Sequence, residues 1–142
     1  MARISQLPIK RSFRAHPSAL FQVRQFVREQ AADSSLSEPV GDDLVLAVSE
    51  ACVNAVVHTS SSEIQLSWRA QDGHVEVQVE DQGVFDRKVP LPELDGTAGR
   101  GIPLILALVD EMTIREGTPA RPGTVIRLTK YTDDASARAV VG

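Results

Sequence analysis

The stretch Glu63-Ile-Gln-Leu-Ser-Trp-Arg-Ala-Gln-Asp-Gly-His-Val-Glu-Val-Gln-Val-Glu80 decides the fold class. Ile64, Leu66 and Trp68 alternate with Glu63, Gln65, Ser67 and Arg69; Val75, Val77 and Val79 alternate with His74, Glu76, Gln78 and Glu80. A period of two sends successive side chains to opposite faces of a strand, so each run has one apolar and one polar face. Asp72-Gly73 between the runs is a strong hairpin signal. The segment therefore predicts two antiparallel strands.

Upstream the period lengthens. Pro17 and Ser18 open a helix in which Leu20, Val23, Val27 and Ala31 recur at helical spacing, with Phe26 beside them. Asp33 to Ser37 is a polar break, and a second helix starts between Ser37 and Asp42 and runs to about His58. Ile9 to Phe13 fits a first edge strand, although Arg11 interrupts its pattern. Downstream, Val84 to Gly99 holds Pro90, Pro92 and two glycines and reads as a long loop. Loops above about 12 to 15 residues in compact domains are usually functional or disordered. A third helix is expected from Gly101 through about Val109, with Pro103 in its first turn. Met112 to Glu116 and Thr124 to Lys130 read as two more strands, joined across Gly117 to Gly123. Residues 1–132 then form one domain and residues 133–142 a fraying tail. The expected class is α/β: a two-layer α/β sandwich with a mostly antiparallel sheet and helices on one face.

Composition narrows the function classes. The 142 residues carry a formal charge of −4, which argues against a dedicated nucleic-acid binder. Lys10, Arg11 and Arg14 form a short basic run that an edge strand explains. Cys52 is the only cysteine, so neither an intrachain disulfide nor a multi-cysteine metal site is possible. The sequence lacks an apolar signal core and a membrane-spanning run, so a cytoplasmic protein is expected.

Several residues fit a plain core poorly. From Leu44 to Val57, eleven of fourteen residues are apolar, so the second helix is expected to be buried nearly all round. Ser49, Glu50 and Asn54 are the exceptions. Glu50 and Asn54 are four apart and share a helix face, with His58 a further turn on. An isolated pair of this kind usually looks to solvent at a helix edge; in such apolar surroundings a polar cleft is the competing reading. Asp81-Gln-Gly83 ends a predicted strand, either as a simple turn or as an acceptor for a ligand amine beside an approachable backbone. Gly99-Arg100-Gly101 directly precedes the predicted third helix. It is either a hinge or an anion site, since unpaired N–H groups at a helix start attract phosphate and Arg100 adds a charged contact. Thr124 shares strand parity with Ile126 and Leu128, so its hydroxyl points inward, which by itself needs no function. His16 and His58 read as structural or exposed. No Gly-x-x-x-x-Gly-Lys loop is present.

Taken in order, Glu50-Ala-Cys-Val-Asn54-Ala-Val-Val-His58, Asp81-Gln-Gly83, Gly99-Arg-Gly101 and Gly123-Thr124 resemble the four boxes of the GHKL (Bergerat) ATP-binding superfamily. Within it the chain resembles the bacterial anti-sigma-factor serine kinases of the RsbW type, from about Ile9 to Lys130. Gly99-Arg-Gly-Ile-Pro-Leu-Ile-Leu-Ala-Leu-Val-Asp110 adds to that likeness. The resemblance implies ATP and Mg²⁺ as cofactors. Asn54 would hold the metal, Asp81 the adenine amino group with help from Thr124, and Gly99, Arg100 and Gly101 the phosphates. Gly83 would let the nucleotide approach the backbone, Val84 to Ala98 would be a lid, and Glu50 the general base. It further implies a STAS-domain anti-anti-sigma protein as substrate, a sigma factor as second partner, a homodimer, and no direct contact with nucleic acid or membrane. One departure stands out: Gly83 is followed directly by Val84-Phe85, where the family usually has a second glycine before the phenylalanine. That shortening motivates an alternative, a regulatory module that holds a sigma factor or STAS partner without phosphotransfer. A sensor histidine kinase fits poorly, because His16-Pro17 lacks the acidic residue that follows a phosphoacceptor histidine.

Overall fold

The structure, a computed structural model, describes residues 7–58, 62–83 and 97–132. Five strands, β1 (Ile9–Arg14), β2 (Glu63–Gln71), β3 (His74–Asp81), β4 (Glu111–Arg115) and β5 (Val125–Tyr131), form one sheet in the order β1-β2-β3-β5-β4. Every pairing is antiparallel. The β2–β3 hairpin turns at Asp72-Gly73 as its sequence predicts, with Gly73 at φ 89°. Its register sets Trp68 opposite Val77 and Leu66 opposite Val79, so the apolar residues of both strands share a face. Leu128 and Ile126 of β5 continue those two rows.

Helices α1 (Leu20–Asp33), α2 (Glu38–His58) and α3 (Thr97–Leu108) cover that face. Val23, Phe26, Val27 and Ala31 of α1 are buried at i, i+3, i+4 and i+8, the stripe expected of a helix that packs on one side. A short 3₁₀ turn at Pro17–Ala19 precedes α1. The polar break ends α1 cleanly: Ser35 takes φ 59° and the Leu36 N–H donates to the Ala31 carbonyl. Ser37 then caps α2, its Oγ accepting from the Val40 N–H at 3.4 Å.

Arg11 does belong in β1. It pairs with Leu66, and its guanidinium lies 5.1 Å from the centre of the Phe26 ring, while Phe13 meets the same ring edge-on at 5.9 Å. The buried indole of Trp68 donates from Nε1 to Ser34 Oγ at 3.2 Å, tying the sheet to the end of α1.

Two expectations need correction. The third helix begins at Thr97, not Gly101, so Gly99, Arg100 and Gly101 are its third to fifth residues and Pro103 its seventh. Glycine costs a helix about 1 kcal/mol, and proline in the second turn leaves the carbonyl four residues back without its N–H partner. Packing of α3 against α2 offsets these costs, which no local propensity could register. Helix α2 is also less enclosed than its composition suggests, because Leu46 and Val57 remain exposed. Most of the expected loop and lid, at residues 84–96, and the tail at 133–142 lie outside the described residues, whereas Thr97 and Ala98 are helical. Among the described residues, no helix is long and apolar enough to cross a membrane.

Candidate functional site

Hydrogen bonding gathers the ends of β3 and β5 into a compact polar cluster. Asp81, the last residue of β3, is 2% exposed, and Thr124, just before β5, is 3% exposed. The Asp81 N–H donates to the Thr124 carbonyl at 3.0 Å. Asp81 Oδ1 accepts from the Gly83 N–H at 2.8 Å and from the Thr124 N–H at 3.4 Å. A buried carboxylate needs such donors, since an unsolvated charge without them costs several kcal/mol. Asp81 is thus built in as an acceptor at the floor of the site.

Glycines let the surrounding strands close on this floor. The Gly123 N–H donates to the Gly83 carbonyl at 2.9 Å, and the Gly117 N–H donates to Thr124 Oγ1 at 2.9 Å. A Cβ on Gly117 would lie 2.4 Å from the Gly83 carbonyl oxygen and 2.7 Å from the Gly123 nitrogen. Gly123 holds φ +105°, a backbone state that side chains disfavour. With its oxygen accepting from Gly117, the Thr124 hydroxyl keeps its proton available to donate.

Helix α2 brings the other two polar groups to the same end of the sheet. His58 ends α2, β2 starts at Glu63, and Ile64 pairs with Asp81, so the C-terminal half of α2 enters the sheet where the cluster lies. Asn54 is 6% exposed, and its amide nitrogen has no hydrogen-bond partner among the described residues. A buried donor left unpaired costs about 1–3 kcal/mol, which a ligand oxygen would recover. Glu50, one turn earlier, is half-buried and so combines protein contact with access to solvent.

Asp81, Gly83 and Thr124 are therefore in direct contact, and Asn54 and Glu50 lie on the half of α2 that leads to this end of the sheet. Gly99 and Arg100 stay among the first four residues of α3, whose N–H groups have no helical acceptor; Gly101 lies one residue beyond them. The sequence reading missed Gly117, whose contact with Thr124 spans seven residues and follows no motif spacing. A cavity of about 320 Å³ between α1 and α2, lined by Arg28, Leu36, Glu38 and Asp42 among others, includes none of these site residues.

Among the described residues, no group of three or more His, Cys, Asp or Glu side chains could hold a metal ion. A metal here would rely on Asn54 and on ligand oxygens. That suits Mg²⁺, which takes oxygen donors, retains water and is commonly shared with substrate phosphates. The unpaired Asn54 Nδ2 is a donor and fits a phosphate oxygen; a metal would have to be held by the Oδ1 of the same amide.

Residues 13–130 match the family described as histidine kinase-like ATPase domain. A serine-protein kinase RsbW from Bacillus velezensis is 32% identical over 106 aligned residues, covering 63% of this chain and 64% of that protein. The crystal structure of the RsbU and RsbW domains of Rv1364c from Mycobacterium tuberculosis superposes with a TM-score of 0.68 at 26% identity. That match covers 89% of this chain and 33% of the longer one. A histidine kinase domain from the Erythrobacter litoralis blue-light activated histidine kinase shares the fold at TM-score 0.53 and 18% identity, over 84% of this chain and 62% of that one.

Proposed function

Because the chain belongs to the histidine kinase-like ATPase domain family, we propose that it is a Mg-ATP-dependent protein serine kinase acting as an anti-sigma factor. Its substrate is a STAS-domain anti-anti-sigma protein, and its second partner is a sigma factor. The similarity to a serine-protein kinase RsbW supports the reaction class. The observation that carries the reading is the buried Asn54 Nδ2, a donor with no partner among the described residues, one helical turn from half-buried Glu50.

In this reading Asp81 accepts a hydrogen bond from the adenine amino group, and the Thr124 hydroxyl supports it. Gly99, Arg100 and Gly101, at the start of α3, take the phosphates, and Gly83 lets the base approach the backbone. Asn54 holds the metal. Mg²⁺, when bound, would supply charge neutralisation to the nucleotide's phosphates. Glu50 accepts the proton as the serine oxygen attacks the γ-phosphorus; the new O–P bond forms, the bond to the bridging oxygen breaks, and ADP leaves. General-base assistance of this type is worth about 10² to 10⁴ in rate.

Phosphotransfer from labelled ATP to a STAS-domain protein tests the reading directly, with phosphoserine as the product scored. Glu50→Gln should retain nucleotide binding and lose transfer, whereas Asn54→Ala should lose the Mg²⁺-dependent part of ATP binding in calorimetry. Equal ATP affinity of Asn54→Ala and wild type in Mg²⁺ would remove Asn54 from the metal role. The short Gly83-Val84-Phe85 segment favours a second reading, a module that holds its partner without chemistry. A stable complex with no phosphotransfer would select it.

A further inference from the structure

We propose that Lys130 is a positioning residue for the nucleotide site, setting the axial register of α3 against α2 so that the phosphate-binding turn meets Glu50. The inference rests on the kinase reading above and adds a residue remote from the site to it.

Lys130 is an anomaly of the sheet. It pairs with Val75 in a row facing the helices and is only 16% exposed, on a largely apolar face. An ammonium placed there needs compensation. Its Nζ donates to the Leu108 carbonyl at 2.8 Å and to Asp43 Oδ2 at 3.2 Å. Leu108 is the last residue of α3, so its carbonyl has no helical donor and sits at the negative end of the helix dipole. Asp43 lies in the second turn of α2. One cation therefore holds the end of α3 level with the beginning of α2.

The helices leave that point along each other in opposite chain directions, packed together. Both rise about 1.5 Å per residue. Seven residues back from Leu108 is Gly101; seven forward from Asp43 is Glu50, each about 10 Å from the shared cation. The arithmetic brings Gly101 level with Glu50, and Gly99 and Arg100 toward the level of Asn54. A second set of contacts holds the end of α3 independently of Lys130. The Asp110 N–H donates to the Thr129 carbonyl at 2.9 Å, and Asp110 Oδ2 accepts from the Tyr131 N–H at 2.6 Å. These keep the end of α3 on β5 without reference to α2, so removing Lys130 loses the polar tie between the two helix ends while leaving α3 attached to the sheet and packed on α2.

A purely structural lysine would lower the melting temperature and weaken every ligand alike. A register lysine weakens the ligand that spans both helices and spares one that touches only the Asp81 floor. The experiment measures Kd for Mg-ATP and for adenosine by the chemical shifts of the Gly83 and Gly117 amides, well below each variant's melting point. The variants are Lys130→Met, Lys130→Arg and the milder Asp43→Asn. Lys130→Met should raise Kd for Mg-ATP about three- to tenfold and Asp43→Asn about two- to threefold, the scale of a partly screened charge contact at a helix end. Adenosine affinity should stay within about twofold, and Lys130→Arg should recover part of the ATP affinity. Equal losses for both ligands, or unchanged ATP affinity in both Lys130→Met and Asp43→Asn, would overturn the inference while leaving the kinase reading intact. Failure of the wild type to bind Mg-ATP would overturn both.

Discussion

Gly117→Ala should unfold this protein at a markedly lower temperature, although it adds a single methyl group. The new Cβ would lie 2.4 Å from the Gly83 carbonyl oxygen, 2.7 Å from the Gly123 nitrogen and 3.1 Å from the Gly123 carbonyl carbon. All three are backbone atoms, so no side chain can rotate away. Separating the strands would stretch the Gly123–Gly83 and Gly117–Thr124 hydrogen bonds, both 2.9 Å. Overpacking costs about 1–3 kcal/mol and a lost buried hydrogen bond about 1 kcal/mol, giving a loss of about 2–4 kcal/mol. For a chain of this size each kcal/mol moves the midpoint by about 2–4 °C, so the fall should be about 5–15 °C by far-UV circular dichroism. Gly41→Ala is the matched control. Gly41 lies inside α2, and its added Cβ would meet only the Ala31 Cβ at 3.4 Å, an ordinary contact. There the helix gains about 0.5–1 kcal/mol from alanine, so the midpoint should hold or rise slightly. A Gly117→Ala midpoint within about 2 °C of wild type would refute the claim that these glycines are forced by close backbone approach.

Asp81→Asn keeps an oxygen for the Gly83 and Thr124 N–H groups but replaces the other carboxylate oxygen with a donor; the fold should persist, while calorimetry should register loss of ATP binding. Thr124→Val leaves the Gly117 N–H buried without an acceptor and should cost about 1–3 kcal/mol in urea unfolding, whereas Thr124→Ser should cost less than half of that. Burial pushes the Cys52 thiol up to about 12, so the native protein should resist a thiol reagent at pH 8 and react once unfolded. The sign follows from the unfolded chain, whose thiol ionises near 9.0: Cys52 leaves stability unchanged below that pH. Between about pH 9 and 12 it erodes stability, as only the unfolded state releases the proton.

The strand hairpin was the most legible part of the sequence, because alternation and Asp72-Gly73 act locally and agree. The polar exceptions in α2 were legible for a similar reason: Asn54 stands out against apolar neighbours, and its amide nitrogen is buried with no partner among the described residues. The start of α3 was not. Gly99 and Gly101 carry the local signature of a loop, and only packing on α2 makes them helical. Arg11 misled in the opposite direction, since its place on an apolar face depends on a ring fifteen residues away in the chain. Gly117 and Lys130 left no trace in any periodicity. Their importance comes from what lies against them in space, and Lys130 reads in sequence as an ordinary strand residue.

The hydrogen bond between Trp68 and Ser34 gives this protein a built-in optical probe. Trp68 is the only tryptophan, so intrinsic emission excited at long wavelength has one source. It reports on the junction of β2 with the end of α1. Chain unfolding should move that emission to the red as the indole enters water. Nucleotide binding at the ends of β3 and β5 should leave it nearly unchanged. Unfolding can thus be followed with nucleotide present or absent, free of a signal from the ligand site and without attaching a dye.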